Sequence, residues 1–141
     1  MVGWGSGSFE NEDAQNFLRQ LNSVEVGDLK QMLVNAADQD YVGAPQGGVV
    51  IVVAEVVATA RGKPPQAVPN QIAEWVSKID GAPSSEMSEL ARLAVYKVRT
   101  NSELKDLWLE AEGLNEWSAV LRDLEDRLSE GIGPSGDRVI G

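Results

Sequence analysis

Glu55 is the residue best placed to do chemistry, because it is the one charge inside the apolar run VVIVVAEVVATA at residues 49–60. A carboxylate buried there must either accept hydrogen bonds or hold a proton through a raised pKa. The second state would make Glu55 a general acid or base, yet a further polar group would have to converge on it and the sequence identifies none. The structural alternative is favoured. Backbone N–H groups of loop 3–7, or the Trp4 indole N–H, are expected to bond to Glu55 and fasten the N-terminus to the core.

The other groups with chemical potential read more simply as structure. Gly3, Gly5 and Gly7 alternate as in a phosphate cradle, but no strand precedes them and no Lys-Ser or Lys-Thr follows, as a P-loop demands. They let the backbone wrap around Trp4, with Phe9 as a second anchor and Asn11 as the cap of the helix that follows. Gly3, Trp4, Gly5, Gly7, Phe9, Asn11 and Glu55 therefore form one expected clasp, or else one pocket. The acids Glu10, Glu12 and Asp13, and the pair Asp38 and Asp40, supply oxygen ligands without EF-hand spacing, and acidic residues at a helix start are expected from the macrodipole alone. Asp123, Glu125 and Asp126 with Arg122 and Arg127 read as a solvated helix face carrying local ion pairs. Trp75, Trp108 and Trp117 each lie on an apolar stripe and read as core. No serine stands in a nucleophile-elbow pattern. No catalytic residue, metal ligand or cofactor is assigned.

Composition narrows the classes further. The 141 residues contain neither cysteine nor histidine, which removes thiol nucleophiles, zinc-thiolate sites and the commonest general base. Twenty-two acids against twelve bases give a net charge of -10, unfavourable for nucleic acid or anionic lipid and permissive for a basic protein partner. The excess sits at the two ends, with seven acids and two bases in residues 1–40 and ten acids and four bases in residues 102–141. The glycine-broken first residues lack the pattern of a signal peptide, and the apolar run is shorter than the ~20 residues of a membrane span, so a cytoplasmic location is expected.

These residues need elements to hold them, and the periodicity supplies seven helices. Asn11 opens the first, with Ala14, Phe17, Leu18 and Leu21 on one face. Leu29, Met32, Leu33 and Ala36 place a second over about residues 26–37. Five consecutive β-branched residues, 49–53, would suit a strand, but the run from Pro45 to Gly62 is too long and has no strand to pair with, so it is expected as the central helix. Pro69 opens a fourth helix bearing Ile72, Trp75, Val76 and Ile79. Ser84 and Ser85 open a fifth, with Met87, Leu90, Ala91, Ala94, Val95 and Val98 inward. Thr100 and Glu103 have capping-box spacing for a sixth bearing Leu104, Leu107, Trp108 and Ala111, stopped by Gly113. Trp117, Val120, Leu121, Leu124 and Leu128 define the last. The expected fold is all-α: one domain over residues 1–130, a bundle of about seven helices with an ordered glycine-rich N-terminal loop, and a flexible tail over 131–141.

The opening Trp4-Gly5-Ser6-Gly7-Ser8-Phe9-Glu10-Asn11-Glu12-Asp13-Ala14 resembles the W-G-x-G-x-F-x-N-D-x-A start of the bacterial family Domain of Unknown Function 4259, with Glu12 lengthening the acidic side chain after the asparagine. Ala54-Glu55-Val56-Val57-Ala58 with Gly62-Lys63-Pro64-Pro65, and Ser102-Glu103-Leu104 with Leu107-Trp108, look like that family's later blocks. The resemblance implies no activity, substrate or catalytic residue.

Three functions remain open at this level. The first is a non-enzymatic acidic domain that binds a basic protein, one form being an immunity-like protein that covers a toxin's basic active site. The second is a carboxylate-based hydrolase or metal-dependent enzyme using Glu55 or the N-terminal acids. The third is a self-associating structural protein; monomer and homo-oligomer are equally compatible with the sequence.

Overall fold

The long apolar run resolves as a helix, and the rest of the chain is organised around it. A computed structural model describes residues 7–129; Gly3, Trp4 and Gly5, and the tail expected over 131–141, lie outside the described residues. Seven α-helices follow in order: α1 (Glu12–Gln20), α2 (Val26–Ala37), α3 (Ala44–Ala60), α4 (Asn70–Lys78), α5 (Ser85–Thr100), α6 (Glu103–Glu110) and α7 (Leu114–Ser129). Among the described residues no strand forms, and the one β-bridge joins Val42 to Ser102. The chain is all-α.

Residues 50–58 of α3 are buried on every side, including four of the five consecutive β-branched residues. A helix satisfies its own backbone hydrogen bonds, so valine and isoleucine can surround it without needing a neighbouring strand. Each of the other six helices packs against α3. Gly47 and Gly48 permit close approaches to α3. A Cβ at Gly47 would stand 3.0 Å from Leu104 Cδ1 on α6, and one at Gly48 would stand 3.1 Å from Asn11 Oδ1 at the start of α1. At the other end, Gly62 takes φ of 84°, and the Gly62 and Lys63 N–H groups bond back to Thr59 and Ala58, which closes α3 in a Schellman turn.

Caps set the remaining boundaries. Asn11 Oδ1 accepts from the Ala14 N–H at 2.8 Å, as its position before α1 requires. Ser84 caps α5 by accepting from the Met87 N–H. The expected Thr100–Glu103 box does not form. Thr100 completes α5 with its hydroxyl on the Tyr96 carbonyl, and Ser102 caps α6 through the Lys105 N–H. Glu103 instead reaches across to the Ala44 N–H at 2.8 Å, putting a carboxylate at the positive end of α3. Val42 bonds through its N–H to the Asn101 carbonyl and through its carbonyl to the Glu103 N–H, so the α2–α3 connector is laced to the α5–α6 junction.

α6 ends in the same Schellman arrangement as α3, with Glu112 N–H on Leu109 and Gly113 N–H on Trp108. Here the residue with positive φ is Glu112, at 61°, not the glycine that the sequence marks as the stop. Gly113 has a different reason to be small: a Cβ there would lie 2.7 Å from the Trp108 ring. The core itself contains Trp75 and Trp117 as expected, whereas Trp108 is partly buried against it and Ala111 is exposed. Burying the Trp75 ring leaves its indole N–H to be satisfied, and it donates to the Val24 carbonyl at 2.8 Å.

Candidate functional site

Glu55 is 1% exposed and sits on the face of α3 that meets α7 and the N-terminal segment. Its partners among the described residues are an arginine and a serine. Arg127, from the last turns of α7, donates from Nη1 to Oε1 at 2.9 Å and from Nη2 to Oε2 at 3.1 Å, a two-pronged pair. The Ser8 hydroxyl donates to Oε2 at 2.6 Å. Among the described residues the backbone of the glycine-rich loop does not serve Glu55. The Gly7 N–H goes to Glu10 Oε1 at 2.9 Å, while Gly3, Trp4 and Gly5 are outside the described residues.

Each nitrogen of the guanidinium is engaged. Arg127 Nε donates to Asp123 Oδ2 at 2.8 Å, and Nη1 also reaches the Lys63 carbonyl at 3.2 Å. Burial works against its charge, but the hydrogen bonds and negative charges of Glu55 and Asp123 outweigh it and lift the Arg127 pKa above its ordinary value. Arg127 therefore ties four parts of the chain together: α7, α3, the turn after α3 and, through Glu55, the segment holding Ser8.

The acidic run on α7 is accordingly not a simple solvated face. The local pair Asp123–Arg127 exists, and Arg122, Asp123 and Asp126 are exposed. Glu125 is buried and takes Arg99 of α5, at 2.6 Å from Nε and 3.2 Å from Nη2, which holds that guanidinium above its ordinary pKa. Arg127 turns inward because it stands on the flank of the stripe formed by Leu124 and Leu128, three residues after the first and one before the second. The signal that could have found it is the counter-charge a buried glutamate demands, sought along the borders of the apolar stripes.

The other described members of the expected clasp, Gly7, Phe9 and Asn11, lie nearby but do different work. Phe9 packs half-buried against the core, and its carbonyl accepts from Gln15 Nε2 at 2.7 Å. Asn11 caps α1. Gly7, Ser8, Phe9 and Glu10 form one wall of an open cleft of about 970 Å³, with Pro64, Pro65 and Gln66 on a second wall and Ala119, Val120 and Asp123 on the third. Glu55 and Arg127 lie at its floor. Three carboxylates thus line one cleft, Glu10, Glu55 and Asp123, and each already accepts a hydrogen bond from within the chain. Among the described residues no three acids come together in an arrangement that could hold a metal ion.

The sequence pattern of one family, described as a domain of unknown function (DUF4259), matches residues 3–120. The chain belongs to that family. The match takes in α1 to α6, the Ser8–Glu55 contact and the start of α7, and stops short of Arg127. No curated protein and no solved structure matches this DUF4259 domain. Among its described residues no helix is long and apolar enough to cross a membrane.

Proposed function

We propose that this DUF4259 domain is a non-enzymatic binding module for a basic protein. The observation that supports this reading is how the fold sorts charge by exposure. Of the described residues, sixteen of twenty acids are exposed but only four of eleven bases. Arg92, Arg99 and Arg127 are drawn inward onto carboxylates, so the surface that a partner meets is more acidic than the net charge of the chain conveys. Such a surface accelerates encounter with a basic partner and repels polyanions.

A second reading, a carboxylate-based hydrolase, draws on the convergence of Glu10, Glu55 and Asp123 on one cleft. Against it stands the state of the central acid. Both of its oxygens already accept from the two arms of Arg127, with the Ser8 hydroxyl on one of them, so the acid is committed to donors within the chain.

Capture from native lysate at low and high salt, followed by reconstitution with the purified captured protein, tests the reading. The expected partner is basic and its affinity falls steeply with ionic strength. A partner of neutral or acidic character, or retention indifferent to salt, would overturn it.

A further inference from the structure

The outward stripe of α6 offers a more specific answer, one that rests on the binding reading above. Glu103, Asp106, Leu109 and Glu110 are spaced i, i+3, i+6 and i+7, which puts them on one side of the helix, and all four are exposed. Leu109 is 57% exposed, the most open large apolar side chain of the described residues. Tyr41, 53% exposed, is held beside this stripe by its hydroxyl, which donates to Asp106 Oδ2 at 2.6 Å. Asp38 and Asp40 precede Tyr41 in the same connector and are also exposed. An aliphatic anchor and a fixed aromatic ring are thereby rimmed by carboxylates, with Lys105 half-buried on the helix flank.

The competing apolar pair on the surface, Leu93 and Tyr96 of α5, has the opposite surroundings. Arg92, Lys97 and Arg99 flank it, and the Arg99 guanidinium already covers the Tyr96 ring at 5.3 Å from its centroid. Arg92 and Arg99 are paired there with Glu89 and Glu125, so that face offers a cationic segment less negative charge than the α6 face does.

We infer that the α6 stripe with Tyr41 is the docking face, and that its occupant is a lysine- or arginine-rich protein segment carrying an apolar side chain. The cationic heads meet Glu103, Asp106 and Glu110, the aliphatic stems and the Tyr41 ring lie against one another, and the apolar residue covers Leu109.

The experiment is an amide-resolved NMR titration of the intact chain with a synthetic peptide of lysine and leucine at helical spacing, in low salt. Shift changes should cluster on residues 38–42 and 103–112. Leu109→Ala should weaken binding several-fold and the double change Asp106→Asn with Glu110→Gln about tenfold, while Leu93→Ala leaves it unchanged. Binding with undiminished affinity in those variants, or shifts centred on another face, overturns the docking site and leaves the binding reading standing. No shift anywhere at low salt overturns both.

Discussion

Arg127 of α7 grips both carboxylate oxygens of Glu55 of α3 across seventy-two residues of sequence, at 2.9 and 3.1 Å. The pair lies at the floor of a cleft where three carboxylates meet, so its role decides how that cleft is understood. A charge pair of this kind is a poor reservoir of stability compared with an apolar replacement, but it is costly to halve. It therefore fixes which helices meet rather than adding much net energy.

Ser8 is the link that brings the N-terminal segment to this pair. Ser8→Ala removes one hydrogen bond to a buried carboxylate while leaving Arg127 in place, so a loss of about 1–2 kcal/mol in unfolding free energy is expected by urea titration. Amide exchange near residues 7–10 should rise in the same variant. Unchanged stability and exchange would show that the segment is held by other contacts.

Tyr41 provides a titration test of the α6 face. Its hydroxyl donates to Asp106, a bond lost on ionisation, and the nearby charges of Asp106 and Glu103 oppose a phenolate, so its pKa is pushed up to about 12 from 10.0. Because the folded value is the higher one, the stabilisation it contributes is complete below the unfolded value near 10 and is lost as pH rises through about 12. In a Tyr96→Phe background, leaving Tyr41 as the chain's one tyrosine, phenolate absorbance should show a midpoint near 12 that falls toward 10 with Asp106→Asn. A midpoint of 10 before that change would mean the bond is absent in solution.

Glu112 occupies a backbone conformation that suits glycine, as Gly62 shows at the equivalent place after α3. Glu112→Gly should relieve left-handed strain of about 1 kcal/mol, partly offset by the extra freedom of glycine in the unfolded chain, and raise the melting temperature by a few degrees. A fall in melting temperature would imply that the Glu112 side chain makes a compensating contact.

The helices were legible because their signals are local. The 26–37 span of α2 follows from the spacing of Leu29, Leu33 and Ala36, and Asn11 and Ser84 lie where caps are needed. Length separated helix from strand in the valine-rich run. What the sequence hid was choice among equivalent local partners. Thr100 and Ser102 both suit a cap, and which one serves depends on how far α5 continues. Glu55 announced its need for a partner, but Arg127 looked like a surface residue paired with Asp123, and the approach of α7 to α3 is a tertiary fact that no local pattern encodes. Ser8 stands among glycines with nothing to mark it, because a serine hydroxyl carries no periodic signal.

The most direct test is a double-mutant cycle on Glu55 and Arg127, followed by urea unfolding. Arg127→Met should cost about 3–5 kcal/mol by stranding a buried carboxylate, and Glu55→Leu should strand a half-buried guanidinium. The combined Glu55→Leu, Arg127→Met protein should recover most of that loss and keep its capacity to bind a basic partner. If Arg127→Met is neutral, or if the double variant is no more stable than the single ones, the pair does not hold the fold and the structural account of the cleft is wrong.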